Sequence, residues 1–170
     1  MERFRELAQR FGLLVSFLLL CTVLTILSDR FLTVSNMVNV LRQSTINGII
    51  AIGMTYVILT AGIDLSVGAM LALCTVVTAD LLQRGMAVGL AVSGGLGLGV
   101  VLGLINGLII TKANVPPFVT TLGMMTVARG LALTYTQGRP ITGLPDGFRF
   151  MGTGSLGPVP MPIVIAALAF

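Results

Sequence analysis

The sequence predicts an all-α integral membrane protein: a polytopic helical bundle of about six spans, the sixth incomplete, with a broken-helix segment at 62–68. Three observations carry this. Of 170 residues, 55% are hydrophobic and 9% charged, with mean hydropathy +1.03, against about 25% charged in a soluble domain. So few charges do not keep a globule of this size in water. Uncharged runs such as 11–27 and 86–110 recur along the chain and approach the ~20 residues needed to cross a hydrocarbon core about 30 Å thick. Between Arg42 and Asp80 stands one carboxylate, Asp64, in the run Thr60-Ala-Gly-Ile-Asp-Leu-Ser-Val-Gly68, with an apolar segment on either side.

Composition also excludes. The net charge of +4 is spread over termini and loops, whereas a nucleic-acid binder needs a clustered basic face. There is no histidine, which removes Ser-His and Cys-His nucleophile pairs and His-ligated zinc. Cys21 and Cys74 lie in apolar runs, form no CxxC pair and read as small buried hydrophobes.

Residues 1–10 carry Arg3, Arg5 and Arg10 and are expected in the cytoplasm, ahead of a first span at 11–27. No small-x-small cleavage site precedes Asp29, so this is a span and not a signal peptide. Thr33 or Ser35 then caps a short helix. Met37, Val40 and Leu41 fall on one face of it and Asn36, Asn39, Arg42 and Gln43 on the other, as in a helix lying in the interface. The second span, 45–61, holds Asn47, Gly48, Gly53, Thr55 and Thr60. Small and polar residues inside a span face other helices, so this one belongs to the bundle centre and the first to its periphery.

The third span covers 65–82 and the fourth 86–110. In the fourth, Gly95, Gly99, Gly103 and Gly107 recur every four positions. Four residues advance a helix by about 400°, so these glycines form one smooth ridge for helix packing. A dinucleotide loop is the alternative, and no GxGxxG is present to support it. Pro116 and Pro117 suit a helix start, and the fifth span runs from about 118 to 135 with Arg129 inside. Residues 137–157 are a Gly/Pro-rich loop, and 163–170 an apolar run too short to cross. A helix ending in mid-bilayer leaves carbonyls unsatisfied, so 1–170 is expected to be one transmembrane domain, the N-terminal half of a longer chain.

Chemistry has few candidates. There is no Walker A loop, no paired carboxylate at catalytic spacing and no metal-ligand cluster. The expectation is scaffold or transport machinery and not an enzyme, with no metal or cofactor of its own. Asp64 has two readings: a cap on the first turn of the third helix after a C′ glycine at Gly62, or the carboxylate of a break that lines a cavity in the membrane. Arg129 lies 12 residues into its helix, about 18 Å deep. A charge there needs a partner: an ion pair, carbonyls of an adjacent break, or a polar substrate. The residues expected on a transport path are Asn47, Thr55, Thr60, Gly62, Asp64, Ser66 and Arg129.

Three stretches carry a resemblance: Asn36-Met-Val-Asn-Val-Leu-Arg-Gln43, Ala51-Ile-Gly-Met-Thr-Tyr-Val-Ile-Leu-Thr-Ala-Gly-Ile-Asp-Leu-Ser-Val-Gly68, and Phe118-Val-Thr-Thr-Leu-Gly-Met-Met-Thr-Val-Ala-Arg-Gly130 followed by Thr136-Gln-Gly-Arg-Pro-Ile141. From about Phe31 onward the chain resembles the ribose-type permeases of bacterial ABC sugar importers. The resemblance implies a multi-pass subunit of the bacterial inner membrane that moves a monosaccharide, ribose or a similar pentose. It implies a second permease subunit, expected as a homodimer, a cytoplasmic ABC ATPase that uses ATP, and a periplasmic sugar-binding protein. It places the N-terminus in the cytoplasm and 137–157 in the periplasm. The family's ATPase-docking segment follows the sixth span and is not in these residues. The competing reading is an ion-coupled secondary transporter using Asp64 or Asp80.

Overall fold

The computed structural model describes residues 2–157 and 159–169, with side chains for 11–157 and 159–168. Met1, Pro158 and Phe170 lie outside these, as do the side chains of Arg3, Arg5 and Arg10. The architecture is that of an all-α membrane protein. Helices α1 (Glu2–Leu27), α2 (Val34–Leu59), α3 (Val67–Gln83), α4 (Val88–Lys112) and α5 (Pro117–Thr136) are followed by a short α6 (Asp146–Thr153), a minimal hairpin of β1 (Ser155–Leu156) and β2 (Val159–Pro160), and α7 (Met161–Ala169). Among the described residues, α4 is the one helix long and apolar enough by itself to cross a membrane, while Phe11–Leu27 and Val67–Gln83 are apolar but shorter. Two compact units divide the chain, Met1–Ser44 and Thr45–Phe170, with the boundary inside α2.

In the first unit, the large apolar side chains of α1 are exposed, Leu13 at 85% and Leu18 at 61% among them. Thr22 and Thr25 donate their hydroxyls to Leu18 O and Cys21 O, both at 2.8 Å. That hides the polar groups of a helix with apolar surroundings. Thr33 caps α2: its Oγ1 accepts the Asn36 amide at 3.3 Å, and Asn36 Nδ2 donates to Phe31 O at 2.7 Å. The expected interfacial helix at 36–43 and second span at 45–61 are one continuous helix. Residues 43–47 contain no glycine or proline, and serine and threonine are too weakly helix-averse to end a helix alone.

In the second unit, α3 packs against both α4 and α5. The core is built from Leu73, Leu102, Ala128 and Ala132, with Ala69, Met70, Cys74, Leu98 and Met124 against it. Its small residues let the backbones approach closely. A Cβ at Gly95 would collide with Thr78 Oγ1 and lie 3.2 Å from Cys74 O, and one at Gly99 would meet Cys74 Sγ at 3.5 Å. Helix α5 starts with Pro117 at its first position and ends at Gln137, in the left-handed region at φ 53°. Residues 137–157 are not all loop: Asp146, following Pro145, opens α6. The density of glycine and proline concealed an eight-residue helix: Pro145 and Gly154 flank it, and Gly147 and Gly152 lie within it. In the hairpin beyond, Ser155 pairs with Pro160 and Leu156 with Val159, antiparallel.

Candidate functional site

The break between α2 and α3 is the candidate site. Helix α2 closes with two bonds, Ala61 N–H to Ile58 O at 2.9 Å and Gly62 N–H to Val57 O at 3.0 Å, the Schellman pattern. The left-handed residue is therefore Ala61, at φ 55°, and not Gly62 as the sequence suggested. Gly62 sits in a tight place for another reason: a Cβ there would lie 3.2 Å from both Val57 O and Val57 Cγ1, so the Val57 turn would have to give by a few tenths of an ångström.

Asp64 does not reach the amides of the first turn of α3. Its Oδ1 accepts from Ser66 N at 2.7 Å and from Ser66 Oγ at 2.6 Å, an Asx turn that sets Ser66 as the residue before the helix. Ser66 is fully buried and also accepts from Asn106 Nδ2 of α4 at 3.1 Å. Its hydroxyl has a single proton. The carboxylate, at 2.6 Å, competes for it with Met70 Sδ at 3.1 Å and is the stronger acceptor. Asn106 must then be the donor, which fixes its amide orientation. With Nδ2 committed to Ser66 and facing Met70 Sδ at 4.0 Å, Asn106 Oδ1 is left buried without a partner among the described residues. An orphaned buried acceptor costs on the order of 1–3 kcal/mol.

A second tie comes from α5. Thr121, 2% exposed, lies 3.1 Å through Oγ1 from Ile63 O and 2.9 Å from Pro117 O. The break is thus held between α4 and α5 by two residues, Asn106 and Thr121, 40 and 58 positions from their partners. Sequence reasoning missed both. The signal available was a lone amide in an otherwise glycine-rich apolar run.

Thr60, Gly62, Asp64, Gly103, Asn106, Gly107, Thr111 and Thr121 line one cavity of about 350 Å³. Of the expected path residues, Thr60, Gly62 and Asp64 meet here, and Ser66 supports Asp64 from behind. Asn47 and Thr55 lie exposed along α2, with the Thr55 hydroxyl turned back on Ala51 O at 2.8 Å. Arg129 is exposed on α5 and has no hydrogen-bond or ion-pair partner among the described residues. The glycine row divides: Gly95 and Gly99 lie against α3, while no neighbouring atom comes within 4 Å of a Cβ placed at Gly103 or Gly107, both of which line the cavity.

A second polar cluster sits at the opposite end of α3. Asp80 Oδ2 accepts from Arg84 Nε and from Tyr135 Oη, each at 2.6 Å, and Gln83 Nε2 donates to Thr142 O at 2.6 Å. The bond to Asp80 pushes the Arg84 guanidinium pKa further up, so this group stays charged at any physiological pH. No group of three or more acidic or cysteine side chains that could hold a metal occurs among the described residues.

Comparison with known proteins gives one family. The model of the branched-chain amino acid transport system permease component matches residues 36–169. The ribose import permease protein of Bacillus subtilis is 47% identical over 169 residues, covering 98% of this chain and 52% of that protein. Its Escherichia coli K12 counterpart is 40% identical over 161 residues, covering 92% and 50% respectively. The galactofuranose transporter permease protein of Escherichia coli K12 is 37% identical over 131 residues, 77% of this chain and 38% of that protein. The chain spans about half the length of the ribose permeases it matches. No solved structure matches.

Proposed function

From the premise that this chain belongs to the family of branched-chain amino acid transport system permease components, we propose that it moves a monosaccharide, ribose or a similar pentose, across the bacterial inner membrane. It does so as a multi-pass permease subunit of an ATP-binding-cassette importer. The observation that carries this reading is 47% identity with a ribose import permease along 98% of the chain. The family is named for amino acid transport, but the relatives at 37–47% identity named above are permeases for sugars.

The partners are a second permease subunit, taken as a second copy, a cytoplasmic ATPase that consumes ATP, and a periplasmic sugar-binding protein. The subunit needs no catalytic group. ATP binding elsewhere shifts the pair between inward- and outward-facing states, and the sugar moves along the path those states expose. The break at 62–68 with Thr60, Asp64 and Ser66 contributes to that path. Arg129, without a protein partner among the described residues, is available to a second subunit or to substrate. Residues 1–10 lie in the cytoplasm and 137–157, including α6, on the periplasmic side.

The test is uptake of labelled ribose by proteoliposomes containing the permease, the ATPase and the binding protein. Uptake is expected to require ATP and the binding protein and to ignore an uncoupler. Uptake that survives removal of the ATPase but collapses with an uncoupler would replace this reading with ion coupling through Asp64 or Asp80.

A further inference from the structure

Arg129 stands inside a span without a partner. Helix α5 has 20 residues, about 30 Å, which matches the thickness of the hydrocarbon core. Arg129 lies 12 residues from Pro117 and seven from Thr136, about 18 Å and 10 Å from the two ends. Side chains lean toward a helix N-terminus, so Arg129 leans away from its nearer end and deeper into the membrane. Its neighbour Ala128 is fully buried in the core. One residue turns the helix by about 100°, which carries Arg129 off the packed face. It is exposed and has no hydrogen-bond or ion-pair partner among the described residues. Gly123, Thr126 and Gly130 are exposed on the same free side. Thr126 turns its hydroxyl back on Leu122 O and Gly123 O, and no neighbouring atom comes within 4 Å of a Cβ placed at either glycine.

The sequence holds six carboxylates, and none stands in the middle of a span. Glu2 and Glu6 are at the start of α1, Asp29 in the turn before α2, Asp64 in the break, Asp80 in the last turn of α3 and Asp146 at the start of α6. A second copy related by a two-fold axis along the membrane normal keeps every residue at its own depth, so it brings Arg129 no carboxylate either. A guanidinium keeps its charge in proteins, and a charge inside the membrane is tolerated where it faces a water-filled cavity. We infer that the free side of α5 lines a water-filled part of the sugar path, and that Arg129 is its cation barrier: a fixed positive charge within the membrane that repels sodium while a neutral sugar passes. The inference rests on the sugar-transport reading above and adds to it a function, the exclusion of ions. A path polar and wide enough for a sugar also admits water and the ions in it. A fixed cation raises the barrier to a like charge. The same guanidinium offers five N–H donors to hydroxyl oxygens, so what stops an ion does not stop a sugar.

Two measurements on the reconstituted importer test this. In the first, Cys21 and Cys74 are changed to alanine and Thr126→Cys is added, which leaves Arg129 in place one turn away. A water-soluble anionic methanethiosulfonate is expected to modify the introduced thiol about tenfold or more faster than a cationic one. No reaction with either reagent, or equal rates, overturns the inference, because the face is then packed or the charge is neutralised by a partner. In the second, sodium leak during ATP-driven ribose uptake is compared with that of protein-free vesicles. The native importer is expected to be tight. Arg129→Gln, which keeps a donor and loses the charge, is expected to raise the leak by about tenfold or more. Arg129→Lys, which keeps the charge, is expected to stay tight. Lost uptake without leak overturns the barrier, as does an equal leak in both variants or a native importer that itself passes sodium. Where Arg129→Gln fails to assemble, the thiol rates decide alone. A native importer that takes up no ribose defeats the transport reading instead, while the thiol rates, which need no uptake, still report whether this side of α5 is wet and positive.

Discussion

Gly95 shows what the smallest residue does in this bundle. Its position on α4 faces Thr78, whose hydroxyl is already bound to Cys74 O at 2.8 Å. An added Cβ would displace Thr78 Oγ1 and press on the Cys74 backbone. Gly95→Ala is expected to destabilise the folded chain by about 1–3 kcal/mol, the usual cost of overpacking. Gly103→Ala should be neutral or stabilising by up to about 1 kcal/mol, because alanine is the better helix former and nothing occupies the space. Thermal unfolding in one detergent measures both, and equal effects would refute the division of the glycine row. This distinction was not legible in the sequence. The spacing of four puts all four glycines on one face, but only the crossing of α3 over α4 determines which half of the face is covered. Asn106 and Thr121 escaped detection for the same reason: a buried polar residue is recognised by its partner, and those partners lie 40 and 58 residues away. Asp64 was legible as a carboxylate at a break, either a cap or part of a cavity wall; the structure makes it an Asx turn on Ser66 beside a cavity, with no contact to the amides of the first turn of α3.

At the scale of elements, the ends of α3 were readable to within a few residues, 65–82 expected and Val67–Gln83 observed, as were those of α5, 118–135 and Pro117–Thr136. Charges, prolines and glycines mark them locally. The continuity of α2 was hidden because an amphipathic stretch and a polar span use the same periodicity, and no helix breaker separates or joins them. The end of α5 and the segment after it are fastened to α3 in a way no local pattern announces: Tyr135 Oη, in the last turn of α5, to Asp80, and Gln83 Nε2 to Thr142 O. Removing both ties with Tyr135→Phe and Gln83→Ala should free residues 137–144 from the end of α3 while leaving the helices intact. Amide hydrogen exchange in that segment is expected to accelerate, with exchange in the core around Leu73 and Ala128 unchanged. Unaltered exchange at 137–144 would mean that the loop is held by its apolar side chains Ile141 and Leu144, which line one cavity with Val76, Ala79 and Phe148.

At the scale of the second unit, the two polar clusters lie at opposite ends of α3. Asp64 sits before its first turn, beside the C-terminal part of α4 and the first turn of α5, while Asp80 sits in its last turn beside the end of α5. Seventeen helical residues span about 26 Å, close to the ~30 Å hydrocarbon thickness, so the clusters belong near opposite faces of the membrane. Charge alone does not say which face is which: with the N-terminus inside, Arg3, Arg5, Arg10 and Lys112 are cytoplasmic against Arg30, Arg42, Arg84, Arg139 and Arg149 outside. The helix order settles the pairing of ends even so. If α1 leaves the cytoplasm, the break and the turn at 113–116 return to it, and 84–87 and 137–145 face out. Asn106 is six residues from Lys112, about 9 Å along α4, so with the N-terminus inside, the cavity at the break lies near the cytoplasmic end. Alkaline phosphatase is active only after export. Inserted after Gly143 it should be active, and inserted after Asn114 it should be silent. The opposite pattern would turn the chain over, placing the cavity at the periplasmic entrance and making the Asp80–Tyr135 cluster the cytoplasmic end.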